Sequence, residues 1–369
     1  MSVVLHAKKS RPDAQTIKVI IVRTEPGEPG EKPECGAWST WDRSQTLALV
    51  TIVEGYSLVN PNLQIRVRYH HAEPHLSRAT MTQLRRAMAQ LVTLKRAFGV
   101  TSPEVILVEH WAYTDPRVMP SAPGTPVGAE HVNGGCTLSG GASVINCYRH
   151  EEFEKVWLHE GIHCFRLDFG HMPAVLGQPL SSARKTSWNT LPIRTEAPVL
   201  VNEAWTELLA EAVFVAFRTR SEIGSVPWLK AWTREHLHAL KQSACLLRHN
   251  GYSSAAELFD GSIAWRERTN ALAYYVLRAA LMPKHEEWMA LMDSATINAT
   301  SNIITYATPT RNDQRTVNIR YRTFMVLLRA RLLDPSFSED IQRALKARPS
   351  CSSLSMMSYH LQHQPTHDS

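Results

Sequence analysis

The chain has 369 residues, 44% of them apolar and 20% charged, with a net charge of +6. That is an ordinary balance for a soluble globular protein and enough length for a buried core. No stretch approaches the roughly 18 uninterrupted apolar residues of a membrane span, and residues 1–15 hold no apolar run of secretory length. Six cysteines without a CxxC pair do not make a small disulfide scaffold. The expectation is an intracellular, cytoplasmic protein with reduced thiols and no membrane partner.

Taken in chain order, residues 17–23, 46–53 and 63–69 are short runs rich in β-branched side chains and read as strands. A Pro/Gly loop at 25–33 separates the first two. Residues 80–98 carry apolar side chains at helical spacing and stop at Gly99. A strand is expected at 105–108, a Pro/Gly loop at 120–135, and a strand interrupted by Gly140 and Gly141 over 136–148. From Glu151 the chain turns helical, first over 151–168, then over 203–218, with a Pro/Ser/Thr-rich connection at 172–198 between them. Further helices are expected near 228–248, 269–282, 317–332 and 337–347. The predicted organisation is an α+β protein in three parts. Residues 1–150 form a mixed α/β part, 151–348 a helical part, and 349–369 a polar, disordered tail.

The helix at 151–168 contains His159-Glu160-Gly161-Ile162-His163. Histidines four apart lie one turn apart on one helix face, so two imidazoles can reach one Zn²⁺. Glu160 then stands beside the metal position, where it can take a proton from water. Val156, Trp157, Leu158, Ile162 and Phe165 give this helix an apolar body. A histidine pair in such a buried helix needs polar partners or a metal. Zinc requires a third protein ligand, and Glu203 in VNEAWTELLAE supplies a candidate. Glu207, one turn further, can accept the remaining N–H of a zinc-bound ring.

His159-Glu160-x-x-His163 followed by Asn202-Glu203-Ala-x-Thr206-Glu207 resembles the gluzincin metallopeptidases and their thermolysin-like pattern N-E-x-x-S-D. The resemblance covers residues 151–211. It implies a zincin-like fold with a cleft between the two halves. One Zn²⁺ would be held by His159, His163 and Glu203, with Glu160 as general base, Glu207 as outer carboxylate, and a peptide or protein as substrate. Two departures stand out: 39 residues separate His163 from Glu203, a longer gap than the family's, and Glu stands at 207 in place of Asp. The resemblance also implies that residues 143–148, just before the metal helix, form an edge strand that binds substrate by β-addition. It implies a donor for the reaction's oxyanion as well, for which Tyr274 is preferred over Tyr275, His236 and His238. Arg266 and Arg268 are read as solvent-exposed in preference to binding a substrate carboxylate. His70, His71 and His75 are read as a surface turn in preference to a metal cluster.

Two other functions remain open at this point. A zincin-like fold can serve as a catalytically silent structural or interaction protein. The run from Arg311 to Arg348, with nine Lys/Arg against four acids, makes nucleic acid a second candidate partner.

Overall fold

The computed structural model describes residues 17–27, 47–58, 62–100, 104–138, 144–168, 191–196, 199–291, 311–351 and 353–358. Six strands form one mixed sheet: β1 (Ile17–Pro26), β2 (Leu49–Ser57), β3 (Gln64–His71), β4 (Val105–Trp111), β5 (Gly135–Leu138) and β6 (Val144–Cys147). Their spatial order is β1-β2-β3-β4-β6-β5. The β1/β2, β2/β3 and β5/β6 pairs are antiparallel, whereas β3/β4 and β4/β6 are parallel. A parallel pair needs a crossover, and helix α1 (Arg78–Ala97) supplies it between β3 and β4. Ser77 caps α1 by accepting the Thr80 N–H at 3.0 Å, and Gly99, at φ +62°, ends it in the left-handed conformation glycine tolerates best.

The segment 136–148, expected as one interrupted strand, is a hairpin of two strands. Its outer member is β5, so β6 lies inside the sheet between β4 and β5. Residues 143–148 are therefore not an edge strand. The strand next to the His159–His163 helix in sequence is not the outermost strand in space, because the hairpin folds β5 to the outside.

Helix α2 (Phe153–Cys164) follows β6 and packs on α1, β5 and β6. Gly161 permits the close approach, since a Cβ there would lie 2.5 Å from Leu91 Cδ2. The helical part continues with α3 (Asn202–Thr219), α4 (Val226–His249), α5 (Ala255–Asp260), a π-helical turn at Leu272–Leu277, α6 (Arg278–Leu281), α7 (Arg311–Leu332) and α8 (Pro335–Lys346). One core runs through both parts: Val67, Leu91 and Ile145 belong to the same apolar cluster as Trp157, Leu208 and Leu246. Most of the 172–198 connection lies outside the described residues. Among the described residues, no helix is long and apolar enough to cross a membrane.

Two expectations are corrected by the C-terminal region. Residues 353–358 are not a disordered tail: Leu354, Met356 and Met357 are buried, and Ser353 bridges to Val118 in the N-terminal part. Three apolar side chains in an otherwise polar stretch are enough to dock it. Residues 359–369 lie outside the described residues. The thiols are also not all reduced. Cys245 and Cys351 form a disulfide, and Cys136 is disulfide-bonded too. Cysteine spacing in sequence carried no sign of this, because the bonded pair is 106 residues apart.

Candidate metal centre

Helix α2 presents His159 and His163 from successive turns, and the first turn of α3 brings Glu203 against them. The two Nε2 atoms are 3.2 Å apart. Glu203 Oε2 lies 3.3 Å from Nε2 of His159 and 3.5 Å from Nε2 of His163. A tetrahedral ion with bonds of about 2.0–2.1 Å separates its ligands by about 3.3 Å, so the three atoms stand at the edge length such an ion requires. Two imidazoles and a carboxylate also suit zinc chemically. Among the described residues, this is the one group of three or more His, Cys, Asp or Glu side chains close enough to share an ion.

Each ring is oriented by a carboxylate behind it. His159 donates from Nδ1 to Glu207 Oε2 at 2.9 Å, and His163 donates from Nδ1 to Asp168 Oδ2 at 2.6 Å. Those bonds take up the Nδ1 proton of each ring and turn both Nε2 atoms toward Glu203. Asp168 was not anticipated as a site residue. The helix ends at Cys164 and not at residue 168, and the turn that follows swings Asp168 back onto His163. Glu207 is in turn held by two buried cations, Arg278 at 3.0 Å and the ammonium of Lys155. Arg278 also pairs with Glu211 at 2.8 Å. Lys155 stands one turn before His159 on α2, so helical spacing alone could have suggested it. Arg278 had no such signal.

Burial and mutual charge set the protonation of the cluster. Burial disfavours charge on both rings and carries His159 down to about 4. On His163, burial is outweighed by Glu203 and Asp168, and the ring is held well above its usual range. The His163 charge in turn overcomes burial at Glu203 and keeps that carboxyl well below the ordinary carboxylate range.

Glu160 is buried beside this triad, and burial pushes it up to about 7. Thr137 Oγ1, on β5, lies 2.9 Å from Glu160 Oε2 and 2.9 Å from the Glu160 carbonyl, so its single proton can serve either oxygen. Gly135 lets β5 come this close: a Cβ there would lie 2.7 Å from the Asn146 carbonyl and 3.0 Å from Glu160 Cγ. Tyr274 sits in the π-helical turn with its ring 5.8 Å from that of His159, edge to face. Burial raises its phenol well above the ordinary value, so the hydroxyl keeps its proton as a donor. Gly135, His159, Glu160, Lys155, Tyr274 and Met356 line one small cavity, whose walls do not include His163 or Glu203.

Three of the other candidates, Tyr275, His238 and Arg268, are engaged elsewhere. Tyr275 donates to the Leu354 carbonyl at 2.5 Å, and His238 bonds the Ser355 carbonyl at 2.9 Å. Arg268 pairs with Glu130 at the surface. His70 and His71 do not lie in a surface turn. They are buried at the end of β3, where His70 bonds Glu109 at 3.0 Å and His71 bonds Thr51 at 2.8 Å. Along the basic run, Arg331 pairs with Asp334 and Arg343 with Asp340. No protein-family model, curated protein or solved structure matches the chain.

Proposed function

We propose that the chain is a zinc-dependent hydrolase of the zincin type, a metallopeptidase that cleaves peptide bonds. The observation that carries this reading is the near-tetrahedral spacing of His159 Nε2, His163 Nε2 and Glu203 Oε2, with Glu160 on the same helix and lining one cavity with His159. A structural zinc is usually closed by four protein ligands and has no use for an adjacent base. Bound at the triad, zinc supplies a Lewis acid for the scissile carbonyl and draws the pKa of water toward neutrality.

The remaining work falls to side chains of the chain itself. Glu160 takes the proton of the attacking water and delivers it to the departing amine. Thr137 keeps the carboxyl aimed in each protonation state, because its proton moves between the carboxylate and the backbone carbonyl. The Tyr274 hydroxyl donates to the oxygen that gains charge as the carbonyl is attacked. An extended peptide pairs with β5, the outermost strand, and so runs past Glu160.

The test is metal content and turnover on the purified chain. The parent should carry about one zinc per chain, and Glu203→Ala should lose it. Glu160→Gln should keep the zinc and lose about 10²–10⁴-fold in turnover of an internally quenched peptide mixture. Cleavage by Glu160→Gln at the parent's rate would refute the reading.

A further inference from the structure

The C-terminal segment 353–358 passes beneath the metal centre, tied to the groups that orient it. Its Leu354 N–H donates to the Arg117 carbonyl at 3.0 Å, and the Tyr275 hydroxyl donates to the Leu354 carbonyl. The N–H groups of Met356 and Met357 donate to Glu152 at 3.2 and 2.9 Å. Glu152 stands at the N-terminus of α2 in a left-handed conformation, and its carboxylate also pairs with buried Arg117 at 2.7 Å. Arg278 Nη2 donates to the Met356 carbonyl at 3.3 Å, and Lys155 Nζ lies 3.3 Å from Met356 Sδ. Ser358 N–H reaches Glu235 on α4 at 2.8 Å.

Arg278 and Lys155 are the two cations that hold Glu207, and Glu207 holds His159. One segment thus supplies acceptors to the cations behind a metal ligand and donors to the carboxylate that starts the metal helix. A buried polar network tolerates the loss of a member poorly, since each orphaned group bears its full desolvation cost. Only Cys351, two residues before Ser353, fixes this segment covalently, through Cys245 on α4. Cys245 is buried, while Cys351 is partly exposed.

We infer that residues 353–358 are a brace for the metal centre, locked by the Cys245–Cys351 disulfide and released by its reduction. This rests on the metal reading given above. In the release step a dithiol reductant attacks Cys351 Sγ as thiolate, and Cys245 leaves as thiolate. The reductant's second sulfur then closes its own disulfide and frees Cys351. Two electrons pass from the dithiol to the cysteines, which take up its two protons. With the lock open, the segment leaves, Arg278 loses its carbonyl acceptor and Glu152 loses two donors. Glu207 then holds His159 less rigidly, and zinc escapes faster.

The experiment uses the full zinc-loaded chain and tris(2-carboxyethyl)phosphine, a reductant without thiols to compete for the metal. The phosphine is oxidised to its oxide with the oxygen of one water, whose two protons end on the two thiols. Alkylation with mass readout establishes that Cys245 and Cys351 have opened. Zinc transfer to a chromophoric chelator should then speed up by about 10–100-fold, the usual cost of losing a ligand's outer partner. A Cys245→Ser/Cys351→Ser chain should release zinc at the fast rate with or without phosphine. Should that variant fail to fold, a Cys351→Ser chain supplies the comparison, since reduction of the parent also opens the disulfide of Cys136. An unchanged rate with both thiols alkylated overturns the proposal. A parent that binds no zinc defeats the metal reading instead. The brace is then judged by amide exchange over 155–163 and 203–211, which rises on reduction if the segment supports those helices and stays level if it does not.

Discussion

The sheet has two edges, and they differ in almost every respect. At one end β1 is ten residues long and leaves Ile20, Ile21 and Val22 exposed to solvent, giving mainly Ile17 to the core. At the other end β5 is four residues long and is pressed against α2 by two features, a glycine and a threonine hydroxyl. Length and β-propensity favour the first edge, yet the candidate site lies at the second. What distinguishes β5 is backbone that can approach a buried carboxylate without a side chain in the way. On the proposed reading, strand quality and functional use are independent properties of an edge.

That contrast can be broken by substitution, most severely at Gly135. Gly135→Val places a branched side chain where even a Cβ meets the Asn146 carbonyl at 2.7 Å, so β5 or Glu160 must shift. Peptide turnover should fall as far as in Glu160→Gln, measured beside zinc content, which is expected to survive. Thr137→Val keeps the shape of the side chain and removes its proton. A buried acceptor left unsatisfied costs about 1–3 kcal/mol, so kcat should drop by about 10–100-fold with KM little changed. Thr137→Ser should restore most of it. At the opposite edge, Ile21→Thr should alter stability by no more than about 0.5 kcal/mol, seen as an almost unmoved thermal midpoint, and leave turnover intact. If Ile21→Thr impaired turnover as Thr137→Val does, the two edges would not be divided in function.

Most of the elements were legible because periodicity reports burial. The helix at α1 and the strands β1 to β4 announce themselves by spacing and by β-branched runs, although β2 and β3 extend further than their apolar runs suggest. His159, His163, Glu203 and Glu207 were legible for a related reason: a four-residue spacing on a helix is a statement about one face. What the sequence concealed depends on contacts between distant segments. Nothing local says that β5 lies outside β6. Arg278 meets Glu207 across 71 residues, and Glu152 meets Met357 across 205. Asp168 is an intermediate case, close to His163 in the chain but usable only because the helix stops early. The polar composition of residues 349–358 pointed to disorder, since three buried apolar side chains weigh little in an average over the stretch.

The π-helical turn at Leu272–Leu277 sets the phase of everything after it. Tyr274 within the turn and Arg278 just beyond it approach His159 by different routes, one by its ring and the other through Glu207. Such a turn absorbs one residue more than an α-helix does over the same rise. Were the same six residues to close into ordinary helix, the residues after them would rotate by about 100°. Arg278 would then point away from Glu207 although no side chain in the site had been altered. The backbone hydrogen-bond pattern of six residues thus decides which face the following helix turns toward Glu207.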